Sequence, residues 1–139
     1  EVVQATGRPI ADWQREGLPP EVDPAVALKI FLHPERGELT RRIERRFAAM
    51  LDEGAIEEVR ALDARALPDT LPAMKAHGVP WLRRYFRSEI TLEQAAEGAV
   101  MDTRRYAKRQ VTWFRNQMPG WTWTPPDEAL TLARSDLRK

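Results

Sequence analysis

From Glu38 to Asp52 the apolar residues Leu39, Ile43, Phe47, Met50 and Leu51 recur at helical spacing, and Gly54 supplies a stop, so the pattern predicts a helix. Ile56, Val59 and Leu62 repeat the signal from Ala55 to Ala64, after a turn short enough to make the two a helical hairpin. A loop with Pro68 and Pro72 follows, then a brief helical piece ending at Gly78 and another from Pro80 to Phe86. Thr91 and Gln94 form a capping box, hydroxyl first and amide three residues on, which opens the longest helix. Its inward stripe reads Leu92, Ala95, Ala96, Ala99, Thr103, Tyr106, Ala107, Gln110 and Phe114, and Pro119-Gly120 ends it. The tail is aromatic at Trp121, turn-like at Pro125-Pro126, then helical from Asp127 to Leu137.

Upstream, residues 5–25 hold Gly7, Pro9, Gly17, Pro19, Pro20 and Pro24, too many breakers for more than a turn around Ile10 to Gln14. Val26 to Leu32 is a nearly continuous apolar run between Pro24 and Pro34, the pattern of a strand buried on both faces, although a buried helical turn fits the same run. No second strand stands out, so its sheet partners are expected outside the chain. The expected class is mainly α, with one core strand near 26–32.

A length of 139 residues with 42% hydrophobic content suits one domain with a real core. The balance of 22 basic against 21 acidic residues leaves a net charge of +1, which excludes a protein that binds polyanions with its whole surface. Any anion site must be local. With no cysteine and only His33 and His77, thiolate and histidine-rich metal sites are excluded. No apolar run approaches the roughly 20 residues of a membrane span, so a cytoplasmic, membrane-free location is expected. The start at Glu1, without methionine or capping signal, leads us to expect a chain that begins inside a longer protein.

Between Asp102 and Asn116 the cations Arg104, Arg105, Lys108, Arg109 and Arg115 face the single acid Asp102, a local net of 5 − 1 = +4. Arg104, Lys108 and Arg115 share one helix face with Arg105 and Arg109 on the adjoining row, a stripe that suits RNA phosphates. From charge alone, offsetting the macrodipole at a helix C-terminus is the favoured reading of such charges. Trp113 and Tyr106 could stack on unpaired bases, but the spacing of Tyr106 and Phe114 favours core. On the earlier helix, Arg46 stands three residues after Ile43 and four before Met50, so it is expected to flank the apolar seam and point partly inward among Arg41, Arg42 and Arg45. A guanidinium there could hold phosphate or pyrophosphate, or pair with Glu44 or Glu53. His33 and His77 read as surface or capping residues. There is no Ser-His-Asp set and no G-x-x-x-x-G-K-[ST] phosphate loop.

The run Thr103-Arg104-Arg105-Tyr106-Ala107-Lys108-Arg109-Gln110-Val111-Thr112-Trp113-Phe114-Arg115 resembles the T-R-x-Y-A-K-R-Q-x-T-W-F-R signature of tRNA dimethylallyltransferases. Thr6-Gly7-Arg8-Pro9 resembles the T-G-R-P near the end of that family's inserted helical subdomain. Arg42-Ile43-Glu44-Arg45-Arg46-Phe47, Met50 and Glu58-Val59 follow its R-I-x-x-R-F, M and E-V landmarks in order. One departure is visible: Gly78-Val79-Pro80-Trp81 stands where many members read G-Y-[KR]-[EQ].

The resemblance implies an α/β fold related to phosphate-loop NTPases, of which this chain is the helical C-terminal part. It implies transfer of a dimethylallyl group from dimethylallyl diphosphate to N6 of adenosine 37, beside the anticodon of tRNAs reading codons that begin with U. The target base leaves its stack first, the general solution for modifying a buried atom. In the family an aspartate near the N-terminus is the general base, and the phosphate loop holds diphosphate with magnesium; neither lies in this chain, which is therefore expected to be inactive alone. By position, the resemblance gives Arg46 a catalytic support role at the donor diphosphate, in preference to a plain ion pair. RNA contacts carry over to the loop Pro68 to Ala73, with Asp69, Thr70 and Leu71, and to Met101, Asp102, Thr103, Arg104, Arg105, Lys108, Arg109 and Gln110. The implied partners are a tRNA anticodon stem-loop and the N-terminal portion of the same enzyme, monomeric at full length. Residues 1–25 are then the end of the inserted subdomain and a linker, 26–117 the core strand with the helical binding part, and 118–139 a tail. The competing reading is a non-enzymatic helical module that binds RNA or docks a protein through the same basic face.

Overall fold

The computed structural model describes residues 1–17 and 21–136. The linker residues Leu18, Pro19 and Pro20, and the expected end of the last helix at Leu137, lie outside them. Two short exposed helices come first, α1 (Val2–Thr6) and α2 (Ile10–Arg15). The first has no counterpart in the sequence pattern. Arg8 fastens the pair by an ion pair to Glu16 at 2.7 Å and by lying 4.6 Å over the Trp13 ring.

The strand expected over 26–32 is only its second half, β1 (Ile30–Leu32). Asp23 explains the loss: its carboxylate accepts from the Ala25 amide at 2.8 Å and its carbonyl from Val26, so a turn claims those residues. The expectation that all sheet partners lie elsewhere is also corrected. β2 (Thr122–Thr124) pairs with β1 in parallel, Ile30 opposite Thr122, Phe31 opposite Trp123 and Leu32 opposite Thr124. A parallel pair needs a crossover, and the whole helical body between the strands supplies it.

That body consists of α3 (Arg36–Asp52), α4 (Ala55–Ala64), a 3-10 turn at Pro72–Lys75, α5 (Val79–Phe86) and α6 (Leu92–Gln117). α7 (Ala129–Asp136) closes the described chain. Both halves of the Thr91–Gln94 capping box are present. Gly54 and Gly78 take φ of 102° and 95°, where a side chain is strained, so they make the tight entries to α4 and α5.

Val59, Val79, Leu82 and Ala95 form the core, with Leu51, Ile56, Leu62, Tyr85 and Phe86 packed around them. Ala95 and Ala99 are fully buried, and their small size lets α6 lie close against α5. The inward stripe of α6 holds as far as Thr103 and fails beyond it: Tyr106 is 45% exposed and Gln110 is exposed. The cause is length. At about 1.5 Å per residue, α6 far outruns α5, and Tyr106 meets the His77 ring just ahead of the shorter helix, at 5.2 Å between centroids. Phe114 returns to cover, 4.6 Å from Phe31 of the sheet, and Trp123 lies 4.3 Å from that same ring. Strands and helical body are joined there.

Candidate nucleic-acid interface

Where β1 leads into α3 and α3 runs along α6, a groove of about 500 Å³ opens. Leu39, Ile43, Ala107 and Val111 are half-buried in its lining. Arg36, Arg104, Arg105, Lys108 and Arg115 are its exposed cations, accompanied by His33 and Thr40. No acid is among the lining residues. An apolar base edged by cations can cover a ring or sugar while the guanidinium and ammonium groups hold phosphate.

Three of the other cations on α3 share one carboxylate. Arg41, Arg42 and Arg45 all converge on Glu38, at 3.1, 2.9 and 3.6 Å. The bonds from Arg42 and then Arg41 hold the Glu38 carboxyl below its ordinary pKa. Arg83 joins Asp63 of α4 at 2.5 Å to Asp69 of the following loop at 2.6 Å. The hydrogen bond from Arg83 lowers the pKa of Asp69, and the two carboxylates, Asp69 first, raise that of Arg83. By contrast Arg36, Arg104 and Lys108 form no ion pair among the described residues. Arg105 has one long contact, 3.6 Å to Asp102.

Offsetting the macrodipole does not explain these groove cations. That effect fades within the last turn, and Lys108 stands 117 − 108 = 9 residues before the end of α6, with Arg104 and Arg105 further back. Only Arg115 lies in the last turn.

Of the residues expected at an RNA site, Met101, Arg104, Arg105 and Lys108 line the groove. Thr103 donates its hydroxyl to the Ala99 carbonyl, Arg109 packs 5.7 Å from the Tyr106 centroid, and Gln110 is exposed outside the groove. Asp102 accepts from the Trp81 indole N–H at 2.8 Å. Asp69 is tied to Arg83, with Thr70 and Leu71 exposed beside it, and none of the three lines the groove. Arg46 does not point inward. Residues advance about 100° around a helix, and with Phe47 buried its neighbour Arg46 is turned out, exposed and without an ion pair to Glu44, Glu53 or any other described residue. Tyr106 and Trp113, 53% exposed, stand on the surface.

Sequence reasoning missed Arg36, Thr40 and Ile43 as groove residues, although their i, i+4, i+7 spacing mirrors Arg104, Lys108 and Val111 on α6. It marked Trp81 only as part of the divergent Gly78-Val79-Pro80-Trp81 turn and gave it no role, although the lone Gly98 inside a helical run was an available signal.

A family model described as IPP transferase matches residues 1–117. The chain belongs to the IPP transferase family. It is 60% identical to a tRNA dimethylallyltransferase of Nitrobacter hamburgensis, over 93% of this chain and 41% of that protein. It is 57% identical to one of Rhodopseudomonas palustris, over 93% of this chain and 40% of that protein. The full-length tRNA isopentenylpyrophosphate transferase of Bacillus halodurans superposes with a TM-score of 0.70 at 32% identity, covering 85% of this chain and 40% of that one. The chain thus spans about two fifths of the length of these relatives. The mainly α reading, and its place within a larger IPP transferase fold, are as expected from the sequence.

Among the described residues, no three His, Cys, Asp or Glu side chains are grouped as a metal site needs. No described helix is long and apolar enough to cross a membrane.

Proposed function

We propose that this chain is the helical, C-terminal, RNA-gripping portion of a tRNA dimethylallyltransferase. The observation that carries the reading is the groove between α3 and α6, an apolar base edged by five exposed cations with no acid among its lining residues. Arg36, Arg104, Arg105, Lys108 and Arg115 hold phosphates of an anticodon stem-loop, and Met101 and Val111 cover its sugars or bases. Arg109, Gln110, Asp69, Thr70 and Leu71 extend the contact outside the groove, while Thr103, its hydroxyl engaged with helix backbone, shapes α6.

The transfer breaks the allylic C–O bond of dimethylallyl diphosphate, forms a C–N bond at adenosine N6 and releases a proton from that nitrogen. Arg46, an exposed guanidinium with no ion pair among the described residues, orients the departing diphosphate. The general base, the phosphate loop and the ligands of magnesium belong to the family's N-terminal portion. The side chains described here do not form a metal site, so no step on this chain is routed through magnesium. That portion completes the sheet beside β1, where Leu32 is exposed. The assembled enzyme acts as a cytoplasmic monomer, with the boundaries 1–25, 26–117 and 118–139 separating inserted subdomain, binding body and tail.

The test is binding of a labelled RNA stem-loop with three consecutive loop adenosines, across salt concentrations. Arg104→Gln with Lys108→Gln should weaken binding about tenfold or more and flatten the salt dependence by up to about two phosphate contacts. An unchanged slope would remove the groove from the RNA site. A non-enzymatic module would bind the same RNA, but would not restore prenylation when joined to the family's N-terminal portion.

A further inference from the structure

Trp81 occupies the place where the sequence departs from its family, and the structure gives that departure a geometry. The indole lies directly against Gly98 of α6: a Cβ built there would fall 2.4 Å from one ring atom and 2.5 Å from two others. This approach is possible only because Gly98 has no side chain. Arg84 covers the ring at 5.2 Å from its centroid. So held, the indole N–H donates to Oδ2 of Asp102 at 2.8 Å, one turn along α6.

Asp102 is the sole acid from there to Asn116, and it adjoins the groove cation Arg105. Its second oxygen, Oδ1, sits 3.6 Å from Nη1 of Arg105. A carboxylate three residues before an arginine is within reach of a close, two-pronged pair, which would use the fork that otherwise meets phosphate. With Oδ2 taken by the indole, Arg105 is left with one long contact and its remaining donors open.

We infer that Trp81 is a positioning residue for the RNA site: by holding Asp102 it keeps Arg105 available at the groove. The inference rests on the RNA reading of the groove and deepens it. Trp81 itself need not touch RNA.

Reversal by a second substitution separates this role from ordinary packing. In the full-length protein, Trp81→Phe keeps a ring against Gly98 and removes the donor. It should weaken binding of the labelled stem-loop about fivefold and reduce the salt slope by up to about one phosphate contact. Adding Asp102→Asn, which no longer attracts Arg105, should bring affinity back to within about twofold of Asp102→Asn alone. Should Trp81→Phe leave binding unchanged, or should its loss persist with Asp102→Asn, Trp81 serves packing only and the inference is overturned. The indole N–H resonance of Trp81, compared between the unaltered protein and Asp102→Asn, reports the hydrogen bond without RNA. If that resonance shifts as a lost bond requires but the unaltered protein binds no stem-loop, the RNA reading fails and takes the inference with it. If RNA binds and the resonance does not move, the inference alone falls.

Discussion

Gly98 carries no side chain because Trp81 fills the space where one would go. Replacing it with alanine sets two effects against each other: helix propensity favours alanine by about 1 kcal/mol, and forcing a methyl group into a packed ring costs about 1–3 kcal/mol. With three ring atoms within 2.5 Å of the new carbon, the steric term wins. Gly98→Ala should therefore lower the melting temperature by a few degrees, at about 2–4 °C per kcal/mol for a chain of this size. In a Trp81→Ala background the same change should raise it. A higher melting temperature for Gly98→Ala alone would show that the ring gives way freely. At this scale the sequence was a fair guide to residue type and a poor one to orientation. Arg104, Arg105 and Lys108 were legible as a cationic stripe, but Arg46 and Tyr106 were each turned the wrong way: Arg46 stands about 100° from the buried Phe47, and Tyr106 lies beyond the reach of the shorter α5.

The start of α3 shows an element held by charge. Glu35 caps it, accepting from the amides of Gly37 at 2.7 Å and Glu38 at 2.8 Å, and these two bonds lower its pKa. One turn on, Glu38 gathers Arg41, Arg42 and Arg45. Both carboxyls have lower pKa values in the folded chain, so as pH falls the unfolded chain takes up protons first. Their stabilising effect is present at neutral pH and is lost as pH drops through the glutamate range and then through the lowered folded values. Protection of the amides over residues 36–42, taken relative to their intrinsic exchange, should accordingly fall below about pH 4, and Glu35→Gln should flatten that dependence without altering protection in α6. Equal acid response in α3 and α6 would point to global unfolding instead. The sequence pattern was strong for elements that carry their own signals: the capping box of α6, the glycine at the α3–α4 turn and the 3.6-residue periodicity. It missed α1, which has no buried residue to create a periodicity, and β2, whose three residues acquire strand character only by pairing with β1.

For the whole molecule, the two-stranded parallel sheet is the feature with the largest consequence. Parallel sheets are ordinarily covered on both faces, yet Leu32 is 53% exposed and Val26, just ahead of the strand, 77%. An open, apolar strand edge is a template for association. The chain by itself should self-associate on raising its concentration, and Leu32→Lys with Val26→Asp should suppress this in sedimentation measurements while leaving helix content unchanged. If the unaltered chain stays monomeric throughout, the exposed strand needs no cover. The sequence by itself determined the longer helices, the capping box of α6, the cationic segment and the family, because periodicity, capping and signature motifs are local properties that neighbouring residues fix together. Tertiary structure alone decided that β1 pairs with residues some ninety positions later, that Arg36, Arg104 and Lys108 meet in one groove without an ion pair among the described residues, and that Trp81 lies against Gly98. Each of these depends on which surfaces meet when helices of unequal length pack, and no local pattern carries that information.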